Sequence, residues 1–84
     1  MPEAKRFVYV LESADPKPHF FVGRTSDVPA RLVNHNAGRC HHTARYHPWQ
    51  LRVTIEFPDE QRAVDFERYL KSGSGRAFAK RHFG

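Results

Sequence analysis

Apolar residues recur along the chain with two different periods, which predict strands in some segments and helices in others. The alternating segment FVYVLE, residues 7–12, predicts a first strand, and HFFVG, residues 19–23, predicts a second that ends at Gly23. The turn-forming residues of SADPKP, between these strands, favour a hairpin with a long loop. A third strand is predicted in WQLRVTIEF, residues 49–57, because its alternate positions are apolar.

Capping residues and a glycine predict the first helix. Ser26 or Asp27 can accept a hydrogen bond from a free helical N–H, and Pro29 falls within the first turn, where its missing donor is not needed. The helix is expected to end near Asn36, because Gly38 supplies a stop signal.

Two further helices are predicted in the C-terminal part of the chain. Asp59 can cap a second helix in EQRAVDFERYLKS, residues 60–72, whose apolar residues form one stripe at helical spacing. The tripeptide GSG, residues 73–75, interrupts this helix. RAFAKRHF, residues 76–83, can then form a short third helix with Phe78 inward.

Composition limits the kind of protein that these elements can build. With 84 residues, 39% of them apolar, the chain is expected to form one domain over residues 1–84. A net charge of +5 favours an anionic partner, with nucleic acid as the leading candidate. Cys40 is the only cysteine and cannot form an internal disulfide, and no segment is typical of a signal peptide or a membrane span. We therefore expect a cytoplasmic protein without a membrane partner.

Three polar side chains are expected beside the core. Arg31 and His35 are four residues apart, so they share a helix face, and that face adjoins the apolar side. Glu67 lies at the edge of the stripe on the second helix, so the three side chains can converge. On spacing alone a structural interpretation is favoured, in which long stems cover apolar surface and His35 is a surface or helix-end residue. Tyr9 is equally ambiguous, because a tyrosine in a half-buried strand usually packs with its hydroxyl hydrogen-bonded.

The segment RCHHTARYH raises a zinc hypothesis, because Cys40, His41, His42 and His47 are all potential ligands. Adjacent residues seldom bind one ion together, and the segment lacks the paired spacing of a tetrahedral site. The simpler interpretation is a polar, basic loop that can touch phosphates, with Trp49 anchoring its end in the core.

Four segments, VYVL, FVGRTSDVPARLVNHNAG, TARYHPWQLRVTIEF and FERYLKSGSGRAFAKRHF, resemble in order and spacing a small stand-alone GIY-YIG nuclease domain. The family includes the N-terminal nuclease domain of the excision-repair nuclease subunit, and the resemblance covers nearly the whole chain. It implies an α/β sandwich with a three-stranded antiparallel sheet flanked by about three helices. It also implies a DNA endonuclease that uses one divalent metal ion, Mg²⁺ or Mn²⁺, in DNA repair or in the processing of structured DNA.

The resemblance assigns roles to four residues. Tyr9 matches the tyrosine of the first family motif, and Arg31, His35 and Glu67 match the family's arginine, histidine and metal-binding glutamate. Phosphodiester hydrolysis needs a positive group for developing charge, a base near the water and an ion at the phosphate. We expect Arg31 to supply the charge, Tyr9 to act as the base with His35 as its partner, and Glu67 to bind the metal.

Two positions of the second motif bear on activity. Gly23 matches its glycine, but Phe21 stands where the family usually has a tyrosine, so one catalytic hydroxyl is missing. Either Tyr9 and His35 suffice for a slower or different nuclease, or the domain has kept nucleic-acid binding and lost cleavage. A third hypothesis is a protein-interaction module, whose binding would change little with salt, whereas binding through phosphates weakens steeply.

Basic residues outside the motif are expected to bind DNA on the face of the molecule that carries Arg31. Arg24 is expected between the second strand and the first helix, at the rim of the site. A protein partner could direct such a DNA-binding domain to its target, because the sequence shows no accessory recognition module. The full set of expected DNA contacts is Arg24, Lys71, Arg76, Lys80 and Arg81.

Overall fold

The computed structural model describes residues 4–14, 18–41 and 43–83. The elements are the strands β1 (Phe7–Ser13), β2 (Phe20–Thr25) and β3 (Trp49–Glu56), the helices α1 (Val28–Asn36), α2 (Glu60–Leu70) and α3 (Gly73–His82), and a 3-10 turn (Ala44–Tyr46). The strands form one antiparallel sheet in the order β2-β1-β3, which confirms the expected α/β fold. Within the described ranges, no helix has the length and apolar content needed to cross a membrane.

Strand β1 is the centre of the sheet and supplies side chains to two separate cores. Because successive side chains of a strand point to opposite faces, Val8 and Val10 reach one face. There they pack with Ala63 and Leu70 of α2, and the aromatic residues of α3 cover the same cluster. The predicted apolar stripe of the second helix is therefore confirmed.

The opposite face of the sheet is covered by α1 and by the start of β3. Tyr9 and Leu11 of β1 pack there with Val28 and Trp49. Trp49 is buried, as expected for the anchor of the preceding loop. The two helices that carry candidate site residues, α1 and α2, thus lie on opposite faces of one three-stranded sheet.

The predicted start of α1 is confirmed, whereas the predicted end of β2 is wrong. The Asp27 carboxylate accepts a hydrogen bond from the Ala30 N–H at 3.1 Å, so Asp27 rather than Ser26 caps the helix. Strand β2 does not end at Gly23 but continues to Thr25, because the β1–β2 ladder extends through two more pairs. Arg24 consequently lies within the strand. Residues 15–17 of the predicted hairpin loop lie outside the described residues.

Helix α3 begins at Gly73, three residues earlier than predicted. The Ser72 hydroxyl accepts a hydrogen bond from the Gly75 N–H at 3.1 Å and starts the helix there. Gly75 is buried, and a Cβ atom at this position would collide with the carbonyl oxygen of Tyr69. This glycine therefore permits close packing of two helices instead of interrupting one.

The register of β3 contains one irregularity. Val10 pairs with Val53 and Leu11 pairs with Leu51, so Arg52 has no partner of its own in β1. A bulge of this kind bends the strand locally. Leu51 is left 41% exposed, although it belongs to the apolar alternation that predicted the strand.

Because α2 and α3 are in close contact, alanine substitution should affect stability differently at two glycines of α3. Gly75→Ala should lower the free energy of unfolding by about 1–3 kcal/mol, because the added methyl forces the helices apart. Gly73→Ala is the matched control, because no atom lies within 4 Å of a Cβ there. Urea denaturation measures both, and equal losses would contradict the packing role of Gly75.

Candidate functional site

The centre of the site is a row of three buried polar side chains. The phenol oxygen of Tyr9, on β1, lies 2.9 Å from Nε2 of His35, on α1. The other ring nitrogen, Nδ1, lies 2.7 Å from the hydroxyl oxygen of Thr43, in the loop after α1. Tyr9 and Thr43 are 1% exposed and His35 is 0% exposed. His35 is therefore a core residue, so its interpretation as a surface residue is wrong, although it does lie in the last turn of α1.

Gly23 makes the position of the Tyr9 hydroxyl sterically feasible. It stands directly opposite Tyr9 in the β1–β2 ladder. A Cβ atom at Gly23 would lie 2.5 Å from the phenol oxygen and 2.9 Å from the ring of Phe21. The second-motif glycine is therefore required for space beside a catalytic candidate, and not for a tight end of the strand.

Phe21 forms an apolar wall beside the same two rings. Its ring centroid lies 4.8 Å from that of His35 and 6.2 Å from that of Tyr9. The position that matches the family's second tyrosine is thus next to the imidazole, but it offers a ring edge instead of a hydroxyl.

Burial and nearby charged groups together set the pKa of the Tyr9 phenol, and burial has the largest effect. Burial raises this pKa above its ordinary value of 10.0, while the neighbouring, positively charged Arg31 opposes the rise. The negative charge of Glu67 adds a smaller increase. Arg31 and Glu67 therefore both act on the same phenol, although they belong to helices on opposite faces of the sheet.

The pKa of His35 is shifted in the direction that keeps the imidazole neutral. Burial lowers this pKa below its ordinary value of 6.5, and the nearby positive charge of Arg31 lowers it further. A neutral imidazole has one nitrogen that donates a hydrogen bond and one that accepts. His35, in the middle of the row, can therefore accept a proton from one of its two neighbours.

Glu67 is held by two cations at the edge of α2. One carboxylate oxygen lies 3.4 Å from Nε of Arg24, and the other lies 3.2 Å from Nζ of Lys71. Arg24 also contacts the Glu60 carboxylate at 3.0 Å. The side chain of Glu67 is only 20% exposed, so these pairs are partly shielded from solvent. Arg24 thus faces α2 and lies in contact with the proposed metal ligand.

The surroundings of Glu67 suit a weakly held magnesium or manganese ion. The carboxylate lines an open cleft of about 450 Å³ together with Lys71 and Ser72. In residues 4–14, 18–41 and 43–83, no group of three His, Cys, Asp or Glu residues is arranged to hold a metal. Mg²⁺ commonly binds through one or two carboxylates, several waters and substrate phosphates, so a single carboxylate fits it. Arg24 and Lys71 compete for the same oxygens, which makes tight binding without substrate unfavourable.

The expected DNA contacts fall into two groups. Arg24 and Lys71 adjoin Glu67, as described above. Arg76, Lys80 and Arg81 are exposed on α3, which packs on the α2 side of the sheet. Their contact with DNA stays a prediction.

The loop after α1 contains the residue that the sequence analysis missed. Thr43 contacts His35 from a position eight residues further along the chain, and no spacing rule connects the two. The Thr43 carbonyl oxygen accepts a hydrogen bond from the Trp49 indole N–H at 3.0 Å, which ties the loop to the core. Of the potential zinc ligands, His42 lies outside the described residues, and Nδ1 of His47 contacts the Ala44 carbonyl oxygen.

Comparison with known proteins identifies the class to which this fold and site belong. Residues 5–81 match the family model described as the GIY-YIG catalytic domain. The chain therefore belongs to the GIY-YIG family. No solved structure matches it significantly.

Two kinds of protein are similar in sequence to this chain. The chain is 43% identical over 68 residues to the structure-specific endonuclease subunit SLX1 of Scheffersomyces stipitis, and the alignment covers 71% of this chain and 20% of that protein. It is 35% identical over 79 residues to a UPF0213 protein of Streptococcus sanguinis, covering 89% of this chain and 85% of the relative. A UPF0213 protein of Lacticaseibacillus paracasei is 38% identical over 66 residues. The chain thus spans about a fifth of the yeast subunit and most of the bacterial proteins.

The buried state of His35 predicts a pH dependence of stability. Because the pKa is lowered in the folded state, the stabilisation is present above the ordinary pKa of 6.5 and is lost as the pH falls. The free energy of unfolding, measured by urea denaturation at about pH 7.5 and about pH 5.5, should fall less in His35→Asn than in the parent. His82→Asn, at an exposed position, is the control and should keep the parent's full decrease. An unchanged decrease in His35→Asn would contradict the assignment.

Proposed function

We propose that this protein is a metal-dependent DNA endonuclease that hydrolyses phosphodiester bonds at the site formed by Tyr9, Arg31, His35 and Glu67. The observation that carries this proposal is the 2.9 Å hydrogen bond between the buried Tyr9 phenol and a neutral His35, next to the Arg31 guanidinium. Membership of the GIY-YIG family supports it independently.

The Tyr9–His35 pair offers a route for the proton of the attacking water. A phenol whose pKa is raised is a poor base by itself, because its ionised form is scarce at neutral pH. Tyr9 can instead take a proton from water on its oxygen while it passes its own proton to Nε2 of His35. The neutral imidazole is the acceptor that this transfer requires.

The other two residues of the proposed site, Arg31 and Glu67, would act on the negative charge of the phosphate. The Arg31 guanidinium can donate paired hydrogen bonds to phosphate oxygens, and it remains charged throughout. Glu67 would hold the divalent ion, which when bound supplies a Lewis acid for the charge that develops on the phosphate. Because Arg24 and Lys71 already neutralise the Glu67 carboxylate, the free site does not repel an incoming phosphate as a bare carboxylate would.

The descriptions of the relatives suggest a biological role, which we extend to this chain as part of the proposal. The yeast proteins are described as subunits of a structure-specific endonuclease. By extension, we propose that this domain cuts structured DNA, that it acts in DNA repair or related processing, and that a protein partner directs it. A net charge of +5 supports DNA as the substrate, and an unpaired Cys40 suits a reducing cytoplasm.

A second candidate function is favoured by one observation, the apolar wall at Phe21. The ring lies against His35 where a hydroxyl could contact the water or the phosphate. A domain without that hydroxyl can retain DNA binding through its basic groups and lack cleavage. Nuclease and binding module are separated by the two experiments that follow.

Removal of the proposed metal ligand should abolish cleavage without loss of DNA binding. Glu67→Ala should lower the cleavage rate at least about a hundredfold, because the ion loses its protein ligand, while DNA affinity stays equal or rises. Purified protein is incubated with branched and single-stranded DNA and Mg²⁺ or Mn²⁺. Glu60→Ala is the matched control, because Glu60 also contacts Arg24 but is not a proposed ligand. Cleavage by Glu67→Ala at the parent's rate would refute the mechanism.

Restoring the second-motif hydroxyl should raise activity. Phe21→Tyr should increase Mg²⁺-dependent cleavage about tenfold, because one hydrogen bond is added beside groups already in position. Tyr9→Phe should lower the rate at least about a hundredfold on the same DNA, because it removes the proposed base. If neither the parent nor Phe21→Tyr cuts any of these DNA substrates, the binding module is the better description.

A further inference from the structure

The loop after α1 presents the buried hydroxyl of Thr43 to the side of His35 that faces away from Tyr9. The Thr43 hydroxyl oxygen lies 2.7 Å from Nδ1 of the imidazole and 3.4 Å from the Cys40 carbonyl oxygen. The backbone of Thr43 is fixed at both ends of the residue, because its N–H donates to the Cys40 carbonyl at 3.1 Å and its carbonyl accepts from the Trp49 indole. A hydroxyl on such a fixed backbone has a defined position.

The protons of the row can be assigned by matching each donor to an acceptor. The Arg31 side chain beside Tyr9 carries only donors, so it cannot accept the Tyr9 proton, which needs another acceptor. Nε2 of His35 is the acceptor within reach, at 2.9 Å. A neutral imidazole that accepts at Nε2 carries its proton on Nδ1. That proton is donated to the Thr43 oxygen, whose own proton goes to the Cys40 carbonyl.

The other tautomer leaves the row unsatisfied. With the proton on Nε2, His35 would donate to the Tyr9 oxygen, and the buried Tyr9 proton would lose its acceptor. A buried donor without a partner loses the hydrogen bond that it makes to water when exposed, so this tautomer is disfavoured. This tautomer also cannot receive a proton from Tyr9, because Nε2 is already protonated.

We propose that Thr43 is a positioning residue that holds His35 in the tautomer protonated on Nδ1, so that Nε2 is free to accept the proton of Tyr9. The catalytic role of Thr43 rests on the proposed nuclease function, whereas the assignment of the His35 tautomer does not. Transfer of the Tyr9 proton then gives an imidazolium whose Nδ1–H remains hydrogen-bonded to Thr43.

Long-range ¹H–¹⁵N NMR spectra of the histidine rings in the full chain test the tautomer directly. At about pH 7.5, where His35 is neutral, the parent should show the Nδ1–H form. Thr43→Val should move the population towards the Nε2–H form, and Thr43→Ser, which keeps the hydroxyl, should retain the parent's spectrum. A dominant Nε2–H form in the parent would overturn the proposal, and that result needs no variant to fold.

Cleavage kinetics test the consequence for catalysis. Thr43→Val should lower kcat at least about tenfold with KM for DNA within about twofold, because proton transfer is impaired and DNA contacts are not. Thr43→Ser should restore kcat to within about threefold of the parent. Equal losses in both variants would mean that Thr43 only stabilises the loop. If the parent cuts no DNA, the nuclease function fails, and the NMR spectra alone decide whether Thr43 fixes the tautomer.

Discussion

The hydrogen bond between Tyr9 and His35 is the interaction on which the rest of the site depends. Both groups are buried, and a buried polar atom without a partner is costly, so each must be satisfied inside the protein. Gly23 leaves space for the phenol, Thr43 satisfies the far nitrogen, and Phe21 packs beside the imidazole. These contacts come from two strands, a helix and a loop, so the pair fixes their relative positions.

The sheet explains how a small domain brings opposite charges to one phenol. Arg31 lies on the helix above one face of β1, and Glu67 lies on the helix above the other face. Glu67 contacts Arg24, and Tyr9 stands opposite Gly23, so the reactive groups lie beside the edge strand β2. A glycine in that edge strand leaves room for the Tyr9 phenol.

Local rules of sequence predicted the elements well, because caps and periodic stripes depend on residues close in the chain. Asp27 and Asp59 cap their helices as expected, and the stripe through Ala63 and Leu70 is buried. The roles of Gly23 and Gly75 could not be predicted, because each is defined by an atom of another element. The family resemblance supplied Tyr9 and His35 as candidates, but only the fold shows the His35–Thr43 contact.

The close approach of Gly23 to the Tyr9 phenol has a consequence for how such sequences can diverge. Any side chain at position 23 occupies the space of the hydroxyl, so it demands a smaller residue at position 9. Positions 23 and 9 are therefore free to change only together. A protein that gains a side chain at position 23 loses the proton-carrying phenol at position 9. Loss of this glycine in a protein of the same fold is accordingly a sign, readable without a structure, that the chemistry at the sheet edge has been abandoned or replaced.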